Sequence, residues 1–590
     1  MVSSKTHLAA RKKQDERERL VKEMEDELGL SSEHPEDQSY LNSSPEDIVA
    51  NLKSKKDGWK AERVMIAFIR SASAAHRKTN CLTEILFREA LDKARSMDKE
   101  YATTGIAEGV FWGLPSSFKD TYNILGVDSS LGCSPHCFVP TEKQEEEATL
   151  VKLFRKGGGI PFCKTNVPQT LLAFECRNPI FGTTTNPYSS ERTCGGSSGG
   201  EAALIALRGS PIGWGSDIGG SLRIPAHYSG ICGLKPVRGR WPVLGQRNSV
   251  QGFEGIKGMV GPMGRTVDDL IFASRSILDL TLSQAADLGF RGEMLIPLPW
   301  RKVDLPRRLK VGYWTQDHLI KTSPACARAV DECVKKLKDA GHEVVEFQPP
   351  DSEFVKVSIL SEIKAYARKY EVAEALKIFA GLTSAEGYKS LLSNIGSDPM
   401  ESSMRLVTLG SKLPRWLHGL LCWAVNSLLK DHLFASIFAT SRPKSVQEFW
   451  QFTARRDVYA NAFRKLVWED EKFDMLLCPV QAVPALEHGT TKLLSPLSVA
   501  TILFNVVDST VGVLPVTHVD KNLDCHSPDY LADSEGSWIL EKRVYGPGGA
   551  YDADKMHGLP VGVQVIGREW QEEKVLGMMK VLDNLVEHRR

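Results

Sequence analysis

An excess of either charge sign is missing: 74 Lys and Arg stand against 73 Asp and Glu, a formal net charge of +1 over 590 residues. No global basic field exists to hold nucleic acid or an anionic membrane. Long apolar runs are missing as well. Met1 to Leu30 is crowded with Lys, Arg, Glu and Asp and has no hydrophobic stretch of the kind a signal peptide or membrane anchor needs. The expectation is a protein made in the cytosol. The twelve Cys follow no regular framework, so reduced thiols are expected rather than disulfides. Cys133, His136 and Cys137 lie close together, but no second pair at zinc-ligand spacing follows and there is no H-E-x-x-H. No metal site is expected, and no internal repeat is visible.

What is present is ample material for a core, 42% hydrophobic residues against 25% charged. Residues 8–30 carry Leu20, Val21, Met24 and Leu28 at helical spacing among alternating charges, the pattern of a solvated helix or partner-binding arm. Ser43-Ser44-Pro45-Glu46-Asp47 reads as a helix start, with a hydroxyl cap, Pro in the first turn and acids at the positive dipole end. Helices are predicted from there to about Glu100. From Gly109 short apolar runs alternate with helical stretches: GVFWGLPSSF, EATLVKLFRKGGG and IPFCKTN, then RLKVGYW, SPACARAVDECVKKLKDAGH and EVVEF. This alternation predicts an α/β fold with a buried sheet. Core-like strands recur at DMLLCPV, TVGVLPV and LPVGVQVIG before a last helix from about Glu569. Leu413 to Phe434, LPRWLHGLLCWAVNSLLKDHLF, is too short and too polar to span a bilayer. By itself it reads either as a buried helix pair, the usual place of apolar helices, or as a surface lying in a membrane interface.

Thr193 to Ala226 concentrates Gly and Ser in two loops flanking a helical segment. Gly allows tight turns and close approach of backbone N–H groups, and Ser supplies hydroxyls. A phosphate cradle is disfavoured, because GGSSGGE lacks the Lys-Ser/Thr of a P-loop and Glu201 would repel phosphate. An α/β-hydrolase nucleophile elbow matches as a string, G-x-S-x-G, but the polar NPYSSERTC precedes it where a buried strand is required.

A third reading joins these loops to GLPSSFKD, Gly113 to Asp120. Together the three segments resemble the amidase signature family of serine hydrolases in order and spacing. The resemblance implies Lys119 as catalytic base, Ser197 as the cis-peptide serine that relays the proton, and Ser221 as nucleophile. The chemistry is sound on its own terms. A serine hydroxyl needs a base as it attacks, and a lysine can serve only if burial or nearby positive charge lowers its pKa. A second hydroxyl can carry the proton outward and return it to the leaving amine. Backbone N–H groups of Ile218, Gly219 and Gly220 would form the oxyanion hole. Asp217 and Arg223 read as a structural ion pair bracing that loop.

The similarity runs from about Asn51 to Arg590 and is nearest to fatty acid amide hydrolases and fungal general amidases. It implies a mixed, twisted central sheet covered by helices on both faces: a catalytic domain over 51–590 with a hydrophobic cap at 404–440, preceded by a charged arm, helical or partly disordered, over 1–50. It also implies that the Leu171 carbonyl contacts the reaction centre, that Leu172, Phe174 and Phe434 line an apolar substrate channel, and that 413–434 dips into a membrane, which reverses the buried reading. No cofactor is implied. A homodimer and a reversible, peripheral contact with an intracellular membrane are. The expected reaction is hydrolysis of fatty acyl amides such as N-acylethanolamines or oleamide. A broad short-chain amidase, a tRNA-dependent amidotransferase subunit and a non-catalytic lipid-binding protein on the same fold are the alternatives.

Overall fold

The computed structural model describes residues 4–29, 34–284, 295–348 and 372–586. Its strands are β1 (Leu82–Ile85), β2 (Pro115–Lys119), β3 (Ile160–Thr165), β4 (Arg177–Asn178), β5 (Gly182–Thr183), β6 (Ile212–Asp217) and β7 (Cys232–Lys235). They continue with β8 (Met259–Gly264), β9 (Lys310–Tyr313), β10 (Glu343–Glu346), β11 (Met475–Pro479), β12 (Thr510–His518) and β13 (Pro560–Gly567). Among the described residues, eleven of them form one sheet in the order β1-β3-β2-β6-β8-β7-β12-β13-β11-β9-β10, and β4 and β5 form a separate ribbon. Pairing is mixed: β3, β2 and β6 run parallel, β6 through β13 pair antiparallel, and β11, β9 and β10 are parallel again.

Helices cover both faces, which is why β13 is buried along its whole length and reads as a nearly continuous apolar run. Phe118 faces helices Thr149–Lys156 and Val267–Ser283: its ring lies 5.8 Å from Phe154, which with Phe272 flanks Phe111. The opposite face carries Ser117 and Lys119, because strand side chains alternate. There β6 shows glycine at every second position, and helix Gly199–Ala206 lies close against it. A Cβ at Gly213 would stand 1.8 Å from Glu201 Oε1, and one at Gly215 would stand 2.7 Å from Ser198 Oγ.

Ser44 caps helix Pro45–Lys53 as its sequence predicts, its Oγ accepting from Asp47 N at 3.0 Å. The preceding arm departs from expectation. Helix Ser4–Leu28 is not a free solvated helix: Val21 and Met24 are buried in the main core, and Arg17 Nη1 donates to the Leu82 carbonyl at 2.7 Å. Lys13 Nζ lies 3.0 Å from Glu84 and 2.9 Å from Asp128. Burial opposes its charge, but those two carboxylates outweigh burial and hold the ammonium above its ordinary range. Thr6 Oγ1 donates to Asp398 at 2.6 Å, which ties the arm to the lead-in of the cap.

That cap comprises helices Arg405–Lys412, Arg415–Ser427 and His432–Thr440. The buried-pair reading fails for the middle one. His418 is its one buried residue, and Trp416 and Trp423 are 71% and 55% exposed, with Leu420, Leu421 and Leu428 beside them. Trp538 joins this apolar surface, its Nε1 donating to the Leu429 carbonyl at 2.6 Å. Among the described residues no helix is long and apolar enough to cross a membrane.

Candidate active site

Lys119 is the last residue of β2, where the strand leaves the sheet beside the parallel end of β6. Crevices at the carboxyl ends of parallel strands are natural binding sites, because loops from neighbouring strands converge there. Two such loops supply serines. Ser197 lies just before helix Gly199–Ala206, and the Gly196-Ser197 peptide is cis. Ser221 follows β6 and precedes helix Arg223–Ser229. The loops are joined directly, since Ser198 N donates to the Ser221 carbonyl at 3.1 Å.

The Lys119 ammonium position is fully enclosed. Its Nζ lies 2.7 Å from Ser197 Oγ, 2.9 Å from Ser216 Oγ and 3.4 Å from the Ser216 carbonyl. Burial drives its pKa down to about 7 against the opposing pull of Asp217. A buried cation costs several kcal/mol unless paired, so an amine in this setting gives up its proton near neutral pH. The residue thus meets the condition that the chemistry imposes on a lysine base.

Asp217 organises the Ser221 loop. Its carboxylate accepts from Gly220 N at 2.9 Å, Leu222 N at 3.0 Å, Asn505 Nδ2 at 2.9 Å, and Arg223 Nη2 and Nε at 3.0 and 3.2 Å. Burial would push this carboxyl up, but Arg223 holds it well below the usual carboxylate range. Arg223 is tied further to the Thr501 carbonyl, Gln564 Oε1 and Asn505 Oδ1 at 2.8, 3.0 and 2.6 Å. The brace expected from the sequence is present, buried rather than exposed.

One expectation needs correction. Gly220 is not an open oxyanion donor, because its N–H is directed to Asp217. It is glycine because φ is +119° and because a Cβ would stand 2.3 Å from Thr501 Oγ1. Ile218 and Gly219 remain at the cavity wall beside Ser221, and the Gly219 carbonyl is pinned by Thr501 Oγ1 at 2.8 Å.

Two cavities meet at Ser221, Ile218, Leu171 and Leu172. The first, about 150 Å³, is walled by Leu172, Phe174, Phe379, Phe434, Ile437 and Phe438, and so brings together the three apolar residues expected of a channel and ends beneath the cap. The second, about 690 Å³, includes Ser197 and Ser216 and opens among Arg238, Gln246, Asn248, Gln251 and Lys444. The Leu171 wall is conformationally unusual, with φ of +60° at Thr170 and +69° at Leu171. Such strain persists where the surroundings fix it. Here Gln169 bonds both Glu401 N at 2.9 Å and the Pro399 carbonyl at 3.1 Å. Ser216, Thr501 and Phe379 had no signal of their own in the sequence: Ser216 is an ordinary strand residue beside Asp217, and Thr501 and Phe379 come from distant segments.

A family profile described as Amidase matches residues 63–576. The chain belongs to the amidase family. This amidase is 33% identical over 544 residues to "Amidase 1" of Gibberella moniliformis, covering 89% of this chain and 90% of that protein. It is 32% identical to "Fatty-acid amide hydrolase 1" of Sus scrofa, covering 89% and 83%, and 30% identical to "Acetamidase" of Aspergillus oryzae, covering 94% and 91%. Its fold matches a solved "Fatty acid amide hydrolase" with a TM-score of 0.80 at 24% identity, over 99% of this chain and 95% of that one. It is an amide hydrolase.

Proposed function

We propose that this amidase cleaves fatty acyl amides to fatty acid and amine through an acyl-enzyme on Ser221. In this reading the Ser221 hydroxyl attacks the amide carbonyl while its proton passes to Ser197 and from Ser197 to Lys119. The developing oxyanion is held by the backbone N–H groups of Ile218 and Gly219, the kind of contact worth roughly 3–4 kcal/mol in the transition state. Collapse breaks the C–N bond as the proton returns from Lys119 through Ser197 to the amine, which leaves poorly otherwise. Water then repeats the sequence on the acyl ester and releases the acid. The observation that carries the acyl preference is the apolar cavity running from Ser221 to Phe434 and Phe438 beneath a cap whose outer face exposes Trp416 and Trp423. An apolar surface above an apolar cavity suits a substrate that arrives from a lipid interface.

The second reading, a short-chain amidase, is favoured by the size of that cavity. About 150 Å³ is below the roughly 300–1,000 Å³ of drug-sized ligand sites, so a long chain must either displace the cap or extend into the adjoining cavity of about 690 Å³. Turnover of a graded series from acetamide to oleamide decides between them. The fatty-amide reading requires kcat/KM to rise with chain length, and a maximum at acetamide would overturn it.

A further inference from the structure

Glu201 is a fully buried carboxyl for which the reaction scheme has no use. It stands three residues after Ser198 in the first turn of helix Gly199–Ala206, where a glutamate commonly caps the helix. No such cap forms at Ser198. The side chain turns to the sheet instead, accepting from Thr165 Oγ1 of β3 at 2.6 Å and from Ser117 Oγ of β2. Ser117 and Lys119 are two apart on one strand and so lie on one face of the sheet, and glycine at 213 leaves room for the carboxyl there. Glu201 is therefore wedged under the face from which Lys119 projects.

Among the described residues, the other ionisable groups facing this pair are a carboxylate with its own counter-ion, buried thiols and a buried phenol. Asp217 and Cys176 face Lys119, and Asp217 is matched by Arg223 at 3.0 Å. Tyr122, Cys81 and Cys163 face Glu201, and burial keeps their protons on at neutral pH. Lys119 and Glu201 remain as one cation and one anion in a fully buried setting. Two arrangements are neutral overall, ammonium with carboxylate and amine with carboxylic acid, and a proton moves between them without changing the net charge. The second alone presents a base to Ser197.

We propose that Glu201 is a positioning residue for amide hydrolysis: its carboxyl, held by Ser117 and Thr165, and the Lys119 amine, held by Ser197 and Ser216, hold one proton between them by through-space charge coupling rather than by a direct bond, and Glu201 sets the pH at which Lys119 becomes basic. This rests on the assignment of Lys119 as base. Burial supports the sharing, since it raises the Glu201 pKa to about 7 against the stabilising Ser117 and Thr165 hydroxyls, which matches the lowered lysine. Interacting groups of this kind titrate as a pair with two macroscopic steps.

The test is the acid limb of kcat/KM for an amide substrate in wild type, Glu201→Gln, Thr165→Val and Lys119→Ala, with each variant's fold checked by thermal melting. An ionised Glu201 stabilises the Lys119 ammonium, so removing it lets the amine form at lower pH. Glu201→Gln should narrow the limb to a single ionisation and move its midpoint down by about 1 pH unit. Thr165→Val removes one hydroxyl that favours the carboxylate, and should move the limb the same way by less, in a protein that keeps every charge. A limb unchanged in Thr165→Val and in any folded Glu201→Gln, with Lys119→Ala inactive, overturns the proposal alone. Full activity in Lys119→Ala overturns the base assignment on which it rests.

Discussion

Replacing Asp217 by Asn tests the brace beneath the Ser221 loop. The substitution keeps the shape, removes the charge, and offers an amide NH₂ where Leu222 N and Arg223 Nε now donate at 3.0 and 3.2 Å. Arg223 is left fully buried without an anion, a situation that costs about 3–5 kcal/mol. Its remaining bonds to Thr501, Gln564 and Asn505 place the expected loss at the lower end. Urea unfolding at pH 7 should therefore show Asp217→Asn destabilised by about 3 kcal/mol. The double variant Asp217→Asn/Arg223→Met should recover part of that loss, because the stranded cation is gone. Labelling of Ser221 by a fluorophosphonate should slow in the single variant, since the adjacent Leu222 N–H loses its acceptor. The pH dependence has a definite sign. The Asp217 carboxyl is held below its unfolded range, so its contribution is present above that range and is lost as pH falls below about 4 toward its folded value. Wild type should lose this increment in acid while Asp217→Asn has none to lose. A single variant within about 1 kcal/mol of wild type, with unchanged labelling, refutes the reasoning.

Three further outcomes are expected. Ser221→Ala should lose amide hydrolysis and fluorophosphonate labelling while keeping its melting temperature, because one half-exposed hydroxyl contributes little to stability; retention of most activity would sink the nucleophile assignment. Lys119→Ala should lose amide turnover by several orders of magnitude and a matched ester by less, since an alkoxide needs protonation less than an amine does, and wild-type amide activity should fall as pH drops through about 7, where burial places the Lys119 pKa. Charging Trp416 and Trp423 together, each to Glu, should weaken liposome flotation and oleamide turnover while sparing short-chain amides and the melting temperature, because both rings are mostly exposed; a collapsed melting temperature with unchanged flotation would refute the interfacial role.

Strands rich in Val, Ile and Leu were legible: LKVGY, DMLLCP, TVGVLPV and PVGVQVIG became β9, β11, β12 and β13. β6 was not, because IGWGSD has glycine where a strand pattern expects side chains, and the reason for those glycines is a helix and a carboxyl brought close from elsewhere. β1, LTEI, was hidden inside a stretch predicted to be helical throughout; its partner on β3 begins some eighty residues later. The site was more readable than the fold because Lys119, Ser197 and Ser221 each lie in an unusual local string. Gly220 shows the limit. Its N–H is committed to Asp217 three residues before it, while the neighbouring Gly219 carbonyl is held by Thr501, 282 positions further along the chain.

The bond between Thr6 and Asp398 spans 392 positions of the chain. At a ribosomal pace of about 5–20 residues per second, roughly 20–80 s separate the emergence of the two groups. Lys13 and Arg17 meet their partners from β1 and the 128 loop much sooner, so during synthesis the arm can be seated at its middle and loose at its beginning. A fusion placed ahead of Thr6 would stand at the junction that closes last, and a yield lower than that of the same fusion placed after the final helix would be its signature.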